Sequence, residues 1–292
     1  MSLVAPVLVW YEEHRRDLPW RAADRTPWGV LVSEVMLQQT PVVRVLPVWR
    51  AWQERWPGPR ELASARPDEV LRAWGRLGYP RRALRLHACA VAVVEEHGGV
   101  LPDDEATLRT LPGIGEYTAA AVAAFAFGRR SVVLDTNIRR VLARAVDGAA
   151  LPAPHLTRAE RDRAAAVVPA DEPTAARWNA AVMELGALVC TARNPGCDSC
   201  PLADRCAWLA EGRPADALAE TRRRQAWHGT DRQARGTVMG LLRDAPAPVP
   251  HSEVVAAWPD REQLERALAG LTADGLVERH GDLWRLPRGG AR

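Results

Sequence analysis

The chain has 292 residues, 47% hydrophobic and 26% charged, which is enough for about two folded domains with cores of their own. Its net charge of +3 permits nucleic-acid binding without demanding it, because any basic surface has to be local. Lysine is absent and all 39 basic residues are arginine, which excludes Schiff-base catalysis through a lysine amine.

No apolar run approaches the ~20 residues of a membrane span, and no basic stretch precedes the apolar part of the N-terminus, so a cytoplasmic protein without membrane contact is expected. Residues 1–16 read as a helix with Leu8, Tyr11 and Arg15 on one face, broken at Leu18-Pro19-Trp20-Arg21. Residues 29–39, GVLVSEVMLQQ, form a helix that is apolar nearly all round and therefore buried. Glu34 lies in its middle. A buried carboxylate without a cation has its pKa raised and can stay protonated near neutral pH, as a general acid must. A glutamate that merely bonds neighbouring helix ends is the alternative.

Further helices are separated by Pro57-Gly58-Pro59, Pro67-Asp68, Gly75 to Pro80 and Gly98-Gly99, with no alternating strand between them, so the first 210 residues read as all-α. Leu77-Gly78-Tyr79-Pro80 is a loop whose aromatic could anchor a core or, beside DNA, wedge between bases. Leu111-Pro112-Gly113-Ile114-Gly115 places two glycines in a tight turn before a helix that begins near Thr118. Amides at that helix N-terminus suit a phosphate irrespective of base sequence, although a plain helical hairpin would read the same way. Gly128 stops the helix, Arg129-Arg130 follow, and the short apolar run Ser131 to Leu134 delivers Asp135 and Thr136 to a helix from Asn137 to Val146. Either residue could be an ordinary N-cap.

An apolar helix from Ala180 to Leu188 carries Glu184 and runs into Cys190. With Cys197, Cys200 and Cys206 this makes C-x6-C-x2-C-x5-C, which in a cytosolic chain points to metal rather than to disulfides. A single CxxC fits structural zinc poorly and four thiolates suit a [4Fe-4S] cluster; zinc remains the alternative. Cys89 reads as a buried hydrophobe. Residues 211–231 form a linker with an arginine cluster. Beyond it helices are expected over Arg235 to Leu242, from Ser252, and after Asp260 and Gln263, with Leu264, Ala267, Leu268 and Leu271 on one face. A hairpin turning at His280-Gly281-Asp282 follows, so residues 232–288 read as a winged-helix-like α+β module, which could bind duplex DNA or pack as an interaction domain.

Taken together, SEVMLQQT (33–40), LGY (77–79), LPGIGEYTA (111–119), LDTN (134–137), MELGALVC (183–190) and the cysteine array resemble the MutY-type adenine DNA glycosylases, of the helix-hairpin-helix superfamily that includes endonuclease III. The resemblance covers roughly residues 5 to 210. It implies a mainly α fold: an iron–sulfur helical domain over 1–20 and 135–210, and a six-helix domain with the helix-hairpin-helix over 21–134. It also implies removal of adenine mispaired with 8-oxoguanine or guanine in double-stranded DNA, by a monomeric, nucleoid-associated protein carrying a [4Fe-4S] cluster on Cys190, Cys197, Cys200 and Cys206. Glu34 matches the acid that protonates adenine N7. Asp135 matches the carboxylate that stabilises the oxocarbenium-like sugar, and its place at a helix N-terminus is expected to favour the ionised form. Tyr117 and Asn137 match neighbours that assist them. Trp20, Arg21, Leu37, Val42 and Glu184 match positions lining the adenine pocket. Gln39, Thr40, Leu77 and Tyr79 match residues beside the opposing purine, with Gln38 next to them, while Gly113 and Gly115 belong to the hairpin that grips DNA.

The departures matter as well. Tyr117 stands where lyase-active relatives have lysine, so a glycosylase without strong lyase activity is expected. Pro80 replaces a second tyrosine, and LDTN replaces the commoner LDGN. No Nudix-like 8-oxoguanine-reading domain is recognisable, so plain A:G is expected to be a substantial substrate. The cluster is expected to order the loop so that Arg193 and Arg205 face phosphate. Two competing readings are a thymine or uracil mismatch glycosylase, disfavoured by Trp20, Arg21 and Glu184, and a non-catalytic iron–sulfur regulator, disfavoured by Glu34 and Asp135.

Overall fold

A computed structural model describes residues 2–222 and 229–289. The chain is mainly helical. In order come α1 (Val4–His14), α2 (Pro27–Leu37), α3 (Val42–Arg55), α4 (Pro59–Ala63), α5 (Pro67–Trp74), α6 (Arg81–His97), α7 (Glu105–Leu108), α8 (Glu116–Phe127), α9 (Thr136–Ala145), α10 (Arg158–Val167), α11 (Glu172–Leu188) and α12 (Ala207–Ala210). The C-terminal module follows as α13 (Asp231–Asp244), β1 (Val249–Pro250), α14 (His251–Ala256), α15 (Arg261–Ala273), β2 (Glu278–His280) and β3 (Leu283–Arg285). Among the described residues no helix is long and apolar enough to cross a membrane.

The chain divides into two compact units. The first comprises Met1–Leu31, Pro102–Thr110 and Ile114–Arg223. Its core joins Val7, Trp10 and Tyr11 of α1 to alanines of α8, Ile138, Val141 and Leu142 of α9, and Trp178, Val182 and Leu185 of α11. The run Ala119–Ala121 with Ala123 and Ala124 keeps α8 thin enough for neighbours to approach it closely, and Gly128, left-handed at φ +70°, ends that helix. Side chains fix the other starts: Asp171 caps α11, and Thr157 with Glu160 forms a capping box on α10. The buried face of α1 differs from the expected one, because Leu8 is only half-buried and Arg15 is exposed. Trp10, too large to leave in water, rotates the helix so that Val7, Trp10 and Tyr11 face inward.

The second unit comprises Val32–Leu101, Leu111–Gly113 and Arg224–Arg292. Trp52 meets Trp56 and Trp74 edge-to-face at 4.9 and 5.6 Å between ring centroids. In the C-terminal module, Ala234, Val238, Leu242, Val254, Leu264, Leu268 and Leu271 are buried together with Trp284 and Leu286. Its antiparallel sheet has the order β1-β3-β2, with Trp284 opposite both Val249 and Arg279. The hairpin is as the sequence suggests. Strand β1 is an addition, two residues hidden among prolines.

Candidate active site

Glu34 is the only charged side chain of α2 and is 5% exposed, with Ser33, Val35 and Met36 buried beside it. The helix ends two residues earlier than expected, at Leu37, because Gln39 turns into the left-handed region at φ 55°. Tyr79 does the same at φ 47°. Such a backbone is strained for residues other than glycine, so something must hold it. Arg82 supplies much of that hold from the interior. Its guanidinium donates to the carbonyls of Val35 (2.8 Å), Gln38 (2.6 Å) and Gly78 (3.1 Å) and to Thr40 Oγ1 (3.1 Å), and burial pushes its pKa down to about 10. Thr40 and Leu77 are buried, with Thr40 Oγ1 donating to the Leu77 carbonyl at 3.2 Å. Gln39 and Tyr79 stand exposed between these ties, Gln38 and Leu37 are half-buried, and Val42 opens α3. Gly113 lies in this unit too, at φ 79°, where a Cβ would come within 2.8 Å of Arg85 Cβ.

In the other unit Asp135 is the N-cap of α9. Its Oδ1 accepts from the Ile138 amide at 2.6 Å and its Oδ2 from Asn137 Nδ2 at 2.7 Å. Arg140 donates to Asn137 Oδ1 (2.9 Å) and to the carbonyls of Gly186 (2.7 Å) and Cys190 (2.7 Å), so an unbroken chain of bonds runs from the carboxylate to the first cysteine. Gly186 permits it: a Cβ there would lie 2.7 Å from Asn137 Cβ and 2.9 Å from the Asn137 carbonyl oxygen. Burial pushes the Asp135 pKa up by more than the Ile138 and Asn137 bonds and the Arg140 charge pull it down. Burial thus outweighs the capping bonds in setting the direction of the shift at this carboxylate.

Glu184 is wholly buried and accepts from the Arg16 amide (2.9 Å), Nε (2.8 Å) and NH2 (2.7 Å). Arg21 NH1 stands 3.0 Å away, paired by charge but off the hydrogen-bond axis. Burial pushes the Glu184 pKa up; the Arg16 bonds and Arg21 charge outweigh it and bring the net value below the usual range. Trp20 is buried in the intervening turn, and Tyr117 is half-buried against the core. Gly115 is the N-cap of α8 and gives it no side-chain bond.

Cys190, Cys197, Cys200 and Cys206 line one recess with Arg144, Val189, Pro195 and Trp208. Among the described residues no three His, Cys, Asp or Glu side chains converge on a single-ion site. Four sulfurs around one apolar recess fit an iron–sulfur cluster. Arg144 braces the cysteine loop, donating to the carbonyls of Thr191 (2.7 Å) and Ala192 (3.0 Å) and to Cys190 Sγ (3.3 Å) while lying 4.5 Å over the Trp208 ring. Cys89 is fully buried and apart, its thiol pushed up to about 12 by burial.

Residues 32–165 match the HhH-GPD superfamily of base excision DNA repair proteins, and residues 190–206 match the iron-sulfur binding domain of endonuclease III. The adenine DNA glycosylase of Mycolicibacterium smegmatis is 54% identical over 282 residues, 96% of this chain and 94% of that one. This chain belongs to the adenine DNA glycosylase family. The family's human member is 42% identical over 208 residues, which is 68% of this chain and 38% of that protein. The family fold extends to a thermostable thymine-DNA glycosylase, whose structure superposes with a TM-score of 0.64 and 27% identity over 71% of this chain and 95% of that chain.

Sequence reasoning missed Arg16, Arg82, Arg140, Arg144 and Gly186. The one usable signal was Arg140 and Arg144, four apart on the face that also carries Asn137 and Val141.

Proposed function

We propose that this protein hydrolyses the N-glycosidic bond of adenine mispaired with 8-oxoguanine or guanine in duplex DNA. The observation that carries the reading is Glu34, the one charge in a buried apolar helix. Protonated, it delivers its proton to adenine N7 so that the base departs neutral as the bond to C1′ breaks. Asp135, ionised, faces the positive charge that develops on the sugar, and water then adds at C1′ and releases a proton. A carboxylate whose charge is poorly solvated gains most when a cation forms beside it, so the raised Asp135 pKa suits the role. Asn137 orients that carboxylate, and Tyr117, in place of a lysine, leaves no amine for strand cleavage.

Adenine leaves the stack for a pocket to which Trp20, Arg21, Leu37, Val42 and Glu184 contribute, Glu184 by holding Arg21. Flipping costs roughly a few kcal/mol, offset by pocket contacts and by Tyr79 entering beside the opposing purine with Gln38 and Gln39, while Thr40 and Leu77 support them. The amides after Gly113 and Gly115 take a phosphate. The cysteines hold a [4Fe-4S] cluster, which when bound supplies the loop with a fixed shape; Arg193 and Arg205 then meet the backbone.

The test is single-turnover base release from A:8-oxoG, A:G, A:C and T:G duplexes, with and without alkali. Adenine released from the first two, with breaks only after alkali, is the expected result. Release from T:G alone, or tight binding with no release, would refute the reading.

A further inference from the structure

The polar contacts of the C-terminal module within its unit converge on one short stretch of chain. Arg243 donates to the Gly75 carbonyl, and Arg72 donates to the carbonyl of Arg243. Asp274 pairs with Arg81 at 3.1 Å and with Arg235 of its own module. Between these anchors the Arg232 guanidinium lies 4.6 Å from the centre of the Tyr79 ring. Residues 72–81 thus carry every one of these ties, and Tyr79 sits inside the span they bracket.

That span needs support. Gly75, Gly78 and Tyr79 all have positive φ, at 58°, 82° and 47°. Glycine takes such angles freely, whereas tyrosine is strained there and relaxes unless its surroundings prevent it. From the interior, Arg82 bonds the Gly78 carbonyl and lies 5.5 Å from the Tyr79 ring. On the module side a planar guanidinium suits an exposed aromatic face better than an ammonium would, because it stacks as well as attracts.

We propose that the C-terminal module is a splint for the Gly75–Arg82 turn, and that Arg232 is a positioning residue for Tyr79. The module then influences which mispair is bound without touching a base, by restricting where Tyr79 can stand. The consequence for selectivity rests on the reading of Tyr79 given above; the splint itself does not.

The test uses the full-length protein with Arg232→Ala and Arg232→Lys, which alter an exposed residue and should leave the fold intact. Hydrogen exchange at the amides of Gly78, Tyr79 and Arg81 should quicken about two- to fivefold in Arg232→Ala and partly recover in Arg232→Lys. Exchange equal to wild type both in Arg232→Ala and in Arg243→Ala, which removes the tie to the Gly75 carbonyl, would overturn the splint, whatever the substrate. The affinity ratio of A:G-mispaired over matched duplex should fall by a similar factor, and Arg232→Ala should add nothing further in a Tyr79→Ala background. Equal losses on both duplexes, or additive losses in the double variant, would make Arg232 a phosphate contact and overturn its positioning role. A wild type without any mispair preference would count against the adenine reading, and the exchange result would still decide the splint.

Discussion

Asn137 donates to Asp135 Oδ2 at 2.7 Å while its own oxygen accepts from Arg140 at 2.9 Å, so one amide orients the carboxylate and is itself oriented from behind. Burial already raises the Asp135 pKa, and the Asn137 bond opposes that rise. Asn137→Ala should therefore raise it further. The ionised carboxylate is lost as pH falls through its pKa, so the acid limb of the single-turnover rate should move to higher pH. At neutral pH the rate should drop at least about tenfold, the usual loss for a hydrogen bond to a charged group. An acid limb identical to wild type would show that Asp135 does not titrate in that limb.

Gly186→Ala should disturb the same carboxylate from another helix. Its Cβ would stand 2.9 Å from a backbone oxygen, which cannot move aside as a flexible side chain could. Overpacking of this kind costs about 1–3 kcal/mol, visible as a lowered melting temperature, and the base-release rate should fall with it. Wild-type rate and melting temperature together would mean that α9 and α11 are free to separate.

Glu184→Gln removes the buried charge that Arg16 and Arg21 share. Because both arginines keep some solvent contact, the loss should be less than the ~3–5 kcal/mol of a wholly buried pair. The folded-state pKa of Glu184 is depressed, so its stabilisation is present above the unfolded carboxylate pKa and disappears as pH falls through the folded value. Melting curves of wild type and Glu184→Gln should converge in acid; a gap of constant size at every pH would contradict the pairing.

Arg144→Ala should loosen the cysteine loop, since one guanidinium holds the carbonyls of Ala150, Thr191 and Ala192. Iron and sulfide per chain, measured after dialysis against a chelator, should fall below wild type. Full retention would show that the cysteines alone shape the recess.

The residues legible in the sequence were those in chemically unexpected company: a carboxylate in an apolar helix, four cysteines within one short loop, two glycines ahead of a helix. Interior arginines were not legible. With arginine as the sole basic side chain, nothing in the spacing separates Arg82, at 8% exposure, from those facing solvent. The face of α1 was misread because Leu8-Tyr11-Arg15 and Val7-Trp10-Tyr11 both satisfy helical spacing, and side-chain size decides between them. At Asp135 the capping bonds were foreseeable from sequence, but the burial that outweighs them depends on residues distant along the chain.

The unit that holds Tyr79 is assembled from residues 32–101 and from the chain beyond 223, with more than a hundred intervening residues committed elsewhere. A ribosome releases its first part long before its last. While the rest is being synthesised, Arg81 lacks Asp274 and the Gly75 carbonyl lacks Arg243. Contacts so distant in sequence form late, and they are the ones forfeited if translation stops early. A chain cut short after Cys206 would retain both carboxylates and all four cysteines of the recess, yet have the turn from Gly75 to Arg82 unfinished.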